Sequence, residues 1–137
     1  MGVELLKQTG LFSSCTDKEL QSVMVTAKER TFDAGEVIIR EGDPGLGFYL
    51  LLEGTAEVRK GGKAVAELSE GDYFGEMALL LEDTPRTADV VATSKAKCLV
   101  ITQWDLRALI STHPDIGMKI MNELATRLSG TEKALAD

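Results

Sequence analysis

Between Tyr73 and Ala88 the chain reads Tyr73-Phe74-Gly75-Glu76-Met77-Ala78-Leu79-Leu80-Leu81-Glu82-Asp83-Thr84-Pro85-Arg86-Thr87-Ala88. Its residue types suit anion capture. Gly75 permits backbone conformations that other residues resist. Glu76 to Leu81 are good helix formers, so Gly75 is expected to open a short helical turn. The start of such a turn presents free amides and partial positive charge. Glu82 to Pro85 then bend the chain, and Arg86 follows. A guanidinium fork returning toward exposed amides is a way to hold a phosphate. Glu76 can accept a hydrogen bond from a sugar hydroxyl. Together the amides, one Arg and one Glu suit a ribose phosphate.

Other chemistries fit less well. His113 is the only histidine and lacks a nucleophile partner; its place before Pro114 reads as a helix junction. One His and two scattered Cys give no zinc spacing. The carboxylates form no Asp-x-Asp-x-Asp-Gly calcium loop. We therefore expect no catalytic residues, no metal and no cofactor. A formal net charge of −7 argues against nucleic acid as a direct partner. It also makes any anion site local. Cys15 and Cys98, far apart and without pattern, read as reduced core thiols. No apolar run reaches the roughly 18 residues of a membrane span. The first ten residues do not read as a secretory signal. The expected location is the cytoplasm, with no membrane partner.

The elements that must position the phosphate segment follow from pattern. With 137 residues the chain suits one domain, 1–137. Residues 1–30 read as an N-terminal helical segment. Within it Thr16 and Glu19 form a capping box for a helix from about Thr16 to Ala27. From residue 31 to 101, turn signals recur about every 8–12 residues between short apolar runs. The expected strands are Val37–Arg40, Phe48–Leu52, Ala56–Lys60, Ala64–Leu68, Ala88–Ala92 and Lys97–Ile101. Gly61-Gly62 marks a compact hairpin, with Arg59, Lys60 and Lys63 as its solvated tip. Residues 102–137 read as two helices, the first capped by Thr102 and the second begun by Pro114. Trp104 is expected in the core. Ile116, Ile120, Leu124, Leu128 and, after a gap, Leu135 form a one-sided apolar stripe. The fold class is mainly β with flanking helices, in a sandwich, barrel or jelly-roll plan.

Phe74-Gly75-Glu76-Met77-Ala78-Leu79-Leu80, followed by Pro85-Arg86-Thr87-Ala88, resembles the phosphate-binding cassette of the cyclic-nucleotide-binding domain family. That family includes catabolite activator proteins, regulatory subunits of cAMP-dependent kinase and cyclic-nucleotide-gated channels. Gly35-Glu36, Glu41-Gly42-Asp43, Phe48-Tyr49, Gly54 and Gly71-Asp72 stand where the family's β-roll has its glycines and core residues. The likeness covers nearly the whole chain. It implies a double-stranded β-helix, a jelly-roll-like β-roll, with an N-terminal helix and two C-terminal helices. The cassette would span residues 74–88.

The resemblance also implies roles. Glu76 would accept from the ribose 2′-hydroxyl and Arg86 would pair with the cyclic phosphate. The amides of Gly75, Met77 and Ala78 would complete the cradle. Thr87 would face phosphate and base, with Ala88 ending the cassette. The ligand is cAMP or cGMP. A guanine reader would be expected to supply an Arg from Ala64–Leu68, and none is there, which favours cAMP. The last helix would close over the base through Arg127, Leu128 and Thr131, although Arg127 also reads as a plain solvent charge. The implied partner is an effector domain or a separate effector protein, and a homodimer through the apolar stripe stays open. The alternative is a β-roll interaction or dimerisation module that has lost the nucleotide.

Overall fold

The computed structural model describes residues 2–8, 12–42, 47–74 and 88–136, with the side chains of residues 124 and 127–136 outside the description. Two short helices come first, α1 (Gly2–Gln8) and α2 (Asp17–Thr26). Eight strands follow among the described residues: β1 (Lys28–Phe32), β2 (Val37–Ile39), β3 (Gly47–Glu53), β4 (Ala56–Lys60), β5 (Lys63–Leu68), β6 (Tyr73–Phe74), β7 (Asp89–Ala92) and β8 (Ala96–Thr102). The helices α3 (Gln103–Thr112) and α4 (Pro114–Ala136) close the described chain. The strands form two four-stranded antiparallel sheets, ordered β1-β8-β3-β6 and β2-β7-β4-β5.

The first sheet is the middle layer, and its strands show it. Residues 47–52 of β3 are all buried, so the strand has no solvent face. Phe48, Leu50 and Leu52 join Leu99 and Ile101 of β8 in a core shared with Leu6, Phe12, Leu20, Val23, Leu106, Leu109, Ile116 and Ile120. Tyr49 and Leu51 point the other way and meet Ala96, Cys98, Phe32, Ala56, Val90 and Ala92 inside the roll. The two-residue period of a strand sorts successive side chains into two cores. Helices cover one face and the second sheet covers the other, which is why the middle strands read as continuous apolar runs. Cys15 lies in the helix-side core and Cys98 in the roll, each a free thiol. Burial pushes the Cys98 thiol up to about 11.

The helix signals in the sequence work as caps. Thr16 accepts from the Glu19 amide at 3.2 Å, and Glu19 Oε1 accepts from the Thr16 amide at 2.8 Å. Thr102 accepts from the Asp105 amide at 3.1 Å and starts α3. His113 ends α3 in a non-helical conformation, its amide donating to Leu109 O at 2.8 Å. Pro114 opens α4. Gly61 and Gly62 both have positive φ, 57° and 80°, as a tight two-residue hairpin requires.

Several expectations need correction. Strand β1 was not foreseen, because Lys28–Thr31 are exposed and charged or polar; its first four residues are held by backbone pairing to β8. It spans the expected change from helix to strand at residues 30 and 31. The two-residue β6 was likewise not foreseen, whereas α1 falls within the helical segment expected over residues 1–30. Trp104 is 58% exposed rather than core: it occupies the second position of α3, while Leu106 and Leu109 form the buried face. Ile116 and Ile120 of the apolar stripe are buried in the chain's own core. Leu124, Leu128 and Leu135 fall outside the described side chains.

Gly54 has φ +90°, and a Cβ there would run into the Lys95 carbonyl and come within 2.8 Å of Ala96 Cα. Gly35 has φ +88° with open space around it. Gly35→Ala should therefore cost about 1 kcal/mol for its backbone conformation alone. Gly54→Ala should cost at least about 2 kcal/mol more, since backbone must move. Urea unfolding of the two variants checks this, and equal losses would contradict the close approach at Gly54.

Candidate functional site

Tyr73 and Phe74 lead out of the first sheet, where β6, among the described residues, is an edge strand paired with β3. Their rings point to opposite cores. Phe74 stacks on Tyr49 inside the roll, with centroids 5.2 Å apart and planes 6° apart. Tyr73 stacks on Phe48 at 5.5 Å, and Phe48 meets Phe12 edge-on at 5.7 Å. The turn before them is also fixed. The Ser69 amide donates to Asp72 Oδ2 at 2.8 Å, and the Gly71 amide donates to Leu51 O at 2.8 Å.

The chain returns at Ala88 and enters the other sheet. There β7 is an inner strand, paired with β2 and β4. Its first residue, Asp89, accepts the Glu41 amide on Oδ1 at 2.6 Å. Residues 75–87 therefore link an edge strand of one sheet to an inner strand of the other, with both flanks pinned. Gly75, Glu76, Met77, Ala78, Arg86 and Thr87 lie outside the described residues; Ala88 is the one cassette residue after Phe74 that the structure places. The α4 backbone includes Arg127, Leu128 and Thr131, and their side chains are outside the description.

The structure adds a wall that the sequence reading did not name. Ala56 pairs with Leu68 and Val58 with Ala66, so all four share the face turned into the roll. Val58, Leu68 and Phe74 are half-buried against the inner core. By register, Glu57 and Glu67 face outward together. Arg59 lies on that outer side too: its Nη2 is 2.7 Å from Glu57 Oε2. It is thus an ion-paired side chain rather than a free tip charge, whereas Lys60 and Lys63 are exposed as expected. The inner face of β4 and β5 at these four positions carries no hydrogen-bonding side chain. Strand alternation was the available signal for it.

A cleft of about 620 Å³ opens at the end of β4 and β5 away from the hairpin, lined by residues including Thr55, Glu57, Glu67 and Thr93. Ala56 and Leu68 of the inner face also line it, and Glu57 there is ion-paired with Arg59. Among the described residues no group of three or more His, Cys, Asp or Glu could hold a metal ion. No described helix is long and apolar enough to cross a membrane.

The family model of the cyclic nucleotide-binding domain matches residues 29–113. The chain belongs to this family. That match contains the β-roll from the second residue of β1 onward and the 74–88 segment. A cAMP-dependent protein kinase regulatory subunit from Hypocrea atroviridis is 45% identical over 92 residues, 67% of this chain and 20% of that protein. Across the first curated relatives, the chain spans 20% to 29% of their length. The N-terminal domain of a transcriptional regulator from Streptomyces coelicolor superposes with a TM-score of 0.89 at 26% identity, covering 96% of this chain and 94% of that one. The regulatory domain of Toxoplasma gondii PKA, crystallised with cAMP, superposes with a TM-score of 0.72 at 32% identity, covering 78% and 42%.

A carboxylate on the inner face of β5 would enter the roll among side chains that offer it no hydrogen bond. Leu68→Asp should weaken cyclic-nucleotide binding by roughly tenfold or more, and because Leu68 packs on the inner core, circular dichroism first establishes that the variant folds. Glu67→Leu, on the opposite face, should leave affinity within about twofold. Calorimetric titration of both variants checks the assignment of faces, and equal effects would contradict it.

Proposed function

We propose that this domain is a cyclic-nucleotide sensor that captures cAMP in preference to cGMP and does no chemistry on it. The carrying observation is the 74–88 segment. It has the residue types for a ribose phosphate, and its two described flanks, β6 and β7, lie in different sheets. Glu76 accepts from the ribose 2′-hydroxyl. Arg86 pairs with the cyclic phosphate, while the amides of Gly75, Met77 and Ala78 complete the cradle. Thr87 lies between phosphate and base, and Ala88 leads into β7.

The base preference rests on the wall. Ala56, Val58, Ala66 and Leu68 offer a purine only apolar contact, and Arg59 is turned outward to Glu57. A guanine amide left unpaired there would lose its hydrogen bonds to water. The cAMP in the Toxoplasma gondii domain supports the same reading. Output runs through α4: ligand shifts it so that Arg127, Leu128 and Thr131 cover the base. This is a population shift driven by the ligand's differential affinity for the two states. The whole chain, 1–137, acts as one such domain in the cytoplasm, and an effector domain or separate effector protein reads the change.

Arg86 gives the sharpest test. Each hydrogen bond to a charged group is worth about 1.5–3 kcal/mol. Removing the fork should weaken binding at least roughly 100-fold at about 1.4 kcal/mol per tenfold. Calorimetry on Arg86→Ala checks this, and an affinity within about threefold of the parent protein would sink the assignment of Arg86.

A further inference from the structure

Helix α4 has 23 residues, roughly 35 Å at the usual rise. Its described attachments are few. Ile116 and Ile120 enter the helix-side core, and Gly117 sits so close to Ile110 of α3 that a Cβ would come within 2.9 Å of its Cγ2. Beyond these, one polar tie crosses to α2: Lys119 Nζ binds Glu19 Oε1. It bridges a cleft of about 490 Å³ between the first turn of α2 and the start of α4, lined by Thr16, Ser22, His113 and Asp115 among others. The two helices therefore meet here through side chains reaching across a gap.

Glu19 has two duties at once. The oxygen that takes Lys119 also accepts the Thr16 amide that caps α2. The hydrogen bond from Lys119, helped by the Thr16 amide, holds its carboxyl below the usual carboxylate range. Asp115 and Glu123 stand one turn to either side of Lys119 on α4, and Lys18 of α2 lines the same cleft, so Lys119 is the α4 cation that faces Glu19. Removing its charge would remove this attraction between α2 and α4.

We propose that the Glu19–Lys119 pair is an electrostatic strap that fixes the resting position of α4 and thereby sets the apparent affinity for cyclic nucleotide. The coupling to ligand rests on the reading above, in which α4 moves on binding. A strap that holds the resting state lowers the population of the binding-competent one, and cutting it raises apparent affinity. Exposed or half-exposed ion pairs are worth little each, so the expected gain is about two- to fivefold.

Two variants isolate the strap. Lys119→Met keeps the aliphatic stem and removes the charge. Glu19→Gln removes the charge and keeps a side chain able to complete the capping box. Hydrogen exchange on the full chain without ligand should show reduced protection of amides 118–126 in both, with α2 unchanged. Titration with cAMP should show the two- to fivefold tighter binding in both. Unchanged α4 protection in both variants would overturn the strap. Loosened α4 with unchanged or weaker binding would overturn its coupling to ligand. If the parent protein binds no cyclic nucleotide, the sensor reading fails on its own and exchange alone decides the strap.

Discussion

The cassette has to leave one sheet and arrive in another, and most of the described architecture serves that constraint. Departure is fixed by Tyr73 and Phe74, whose rings stack into the two cores on either side of the first sheet. Arrival is fixed by the pairing of β7 between β2 and β4 and by the hydrogen bond from Glu41 to Asp89. A phosphate site made of amides and one guanidinium needs its donors held in place before ligand arrives, because ordering them afterwards costs binding energy. The double-core design supplies that rigidity: a strand buried on both faces cannot shift register by one residue without exchanging its two side-chain sets.

The same layering joins the start of the cassette to the helix-side core. Strands β3 and β8 carry Tyr49, Leu51 and Cys98 on the roll side and Phe48, Leu50, Leu99 and Ile101 on the helix side. Tyr49 touches Phe74 at the start of the cassette, and Phe48 touches Tyr73 and Phe12. A displacement at the cassette is thus one residue away from the core that holds Ile116 and Ile120 of α4. Packed cores transmit strain because they have few voids to absorb it.

Much of this was legible in the sequence, for identifiable reasons. The capping box at Thr16 and Glu19, the Thr102 cap, Pro114 at the start of α4 and the Gly61-Gly62 hairpin are local rules, and the structure obeys them. Strand β1 was not legible, because Lys28–Thr31 owe their conformation to backbone pairing with β8 and carry no apolar alternation. Trp104 misled in the other direction: its size suggests burial, but its position on α3 places it outside the face formed by Leu106 and Leu109. The cassette stood out as the one stretch that broke the strand pattern. The inner wall did not, since pairing Val58 with Ala66 requires the register of β4 and β5.

The most direct measurement is a calorimetric titration of cAMP and, separately, cGMP into folded protein shown to be free of copurified nucleotide. The account predicts roughly micromolar or tighter binding of cAMP and weaker binding of cGMP. No heat with either nucleotide would contradict it and leave a β-roll whose role is interaction rather than sensing.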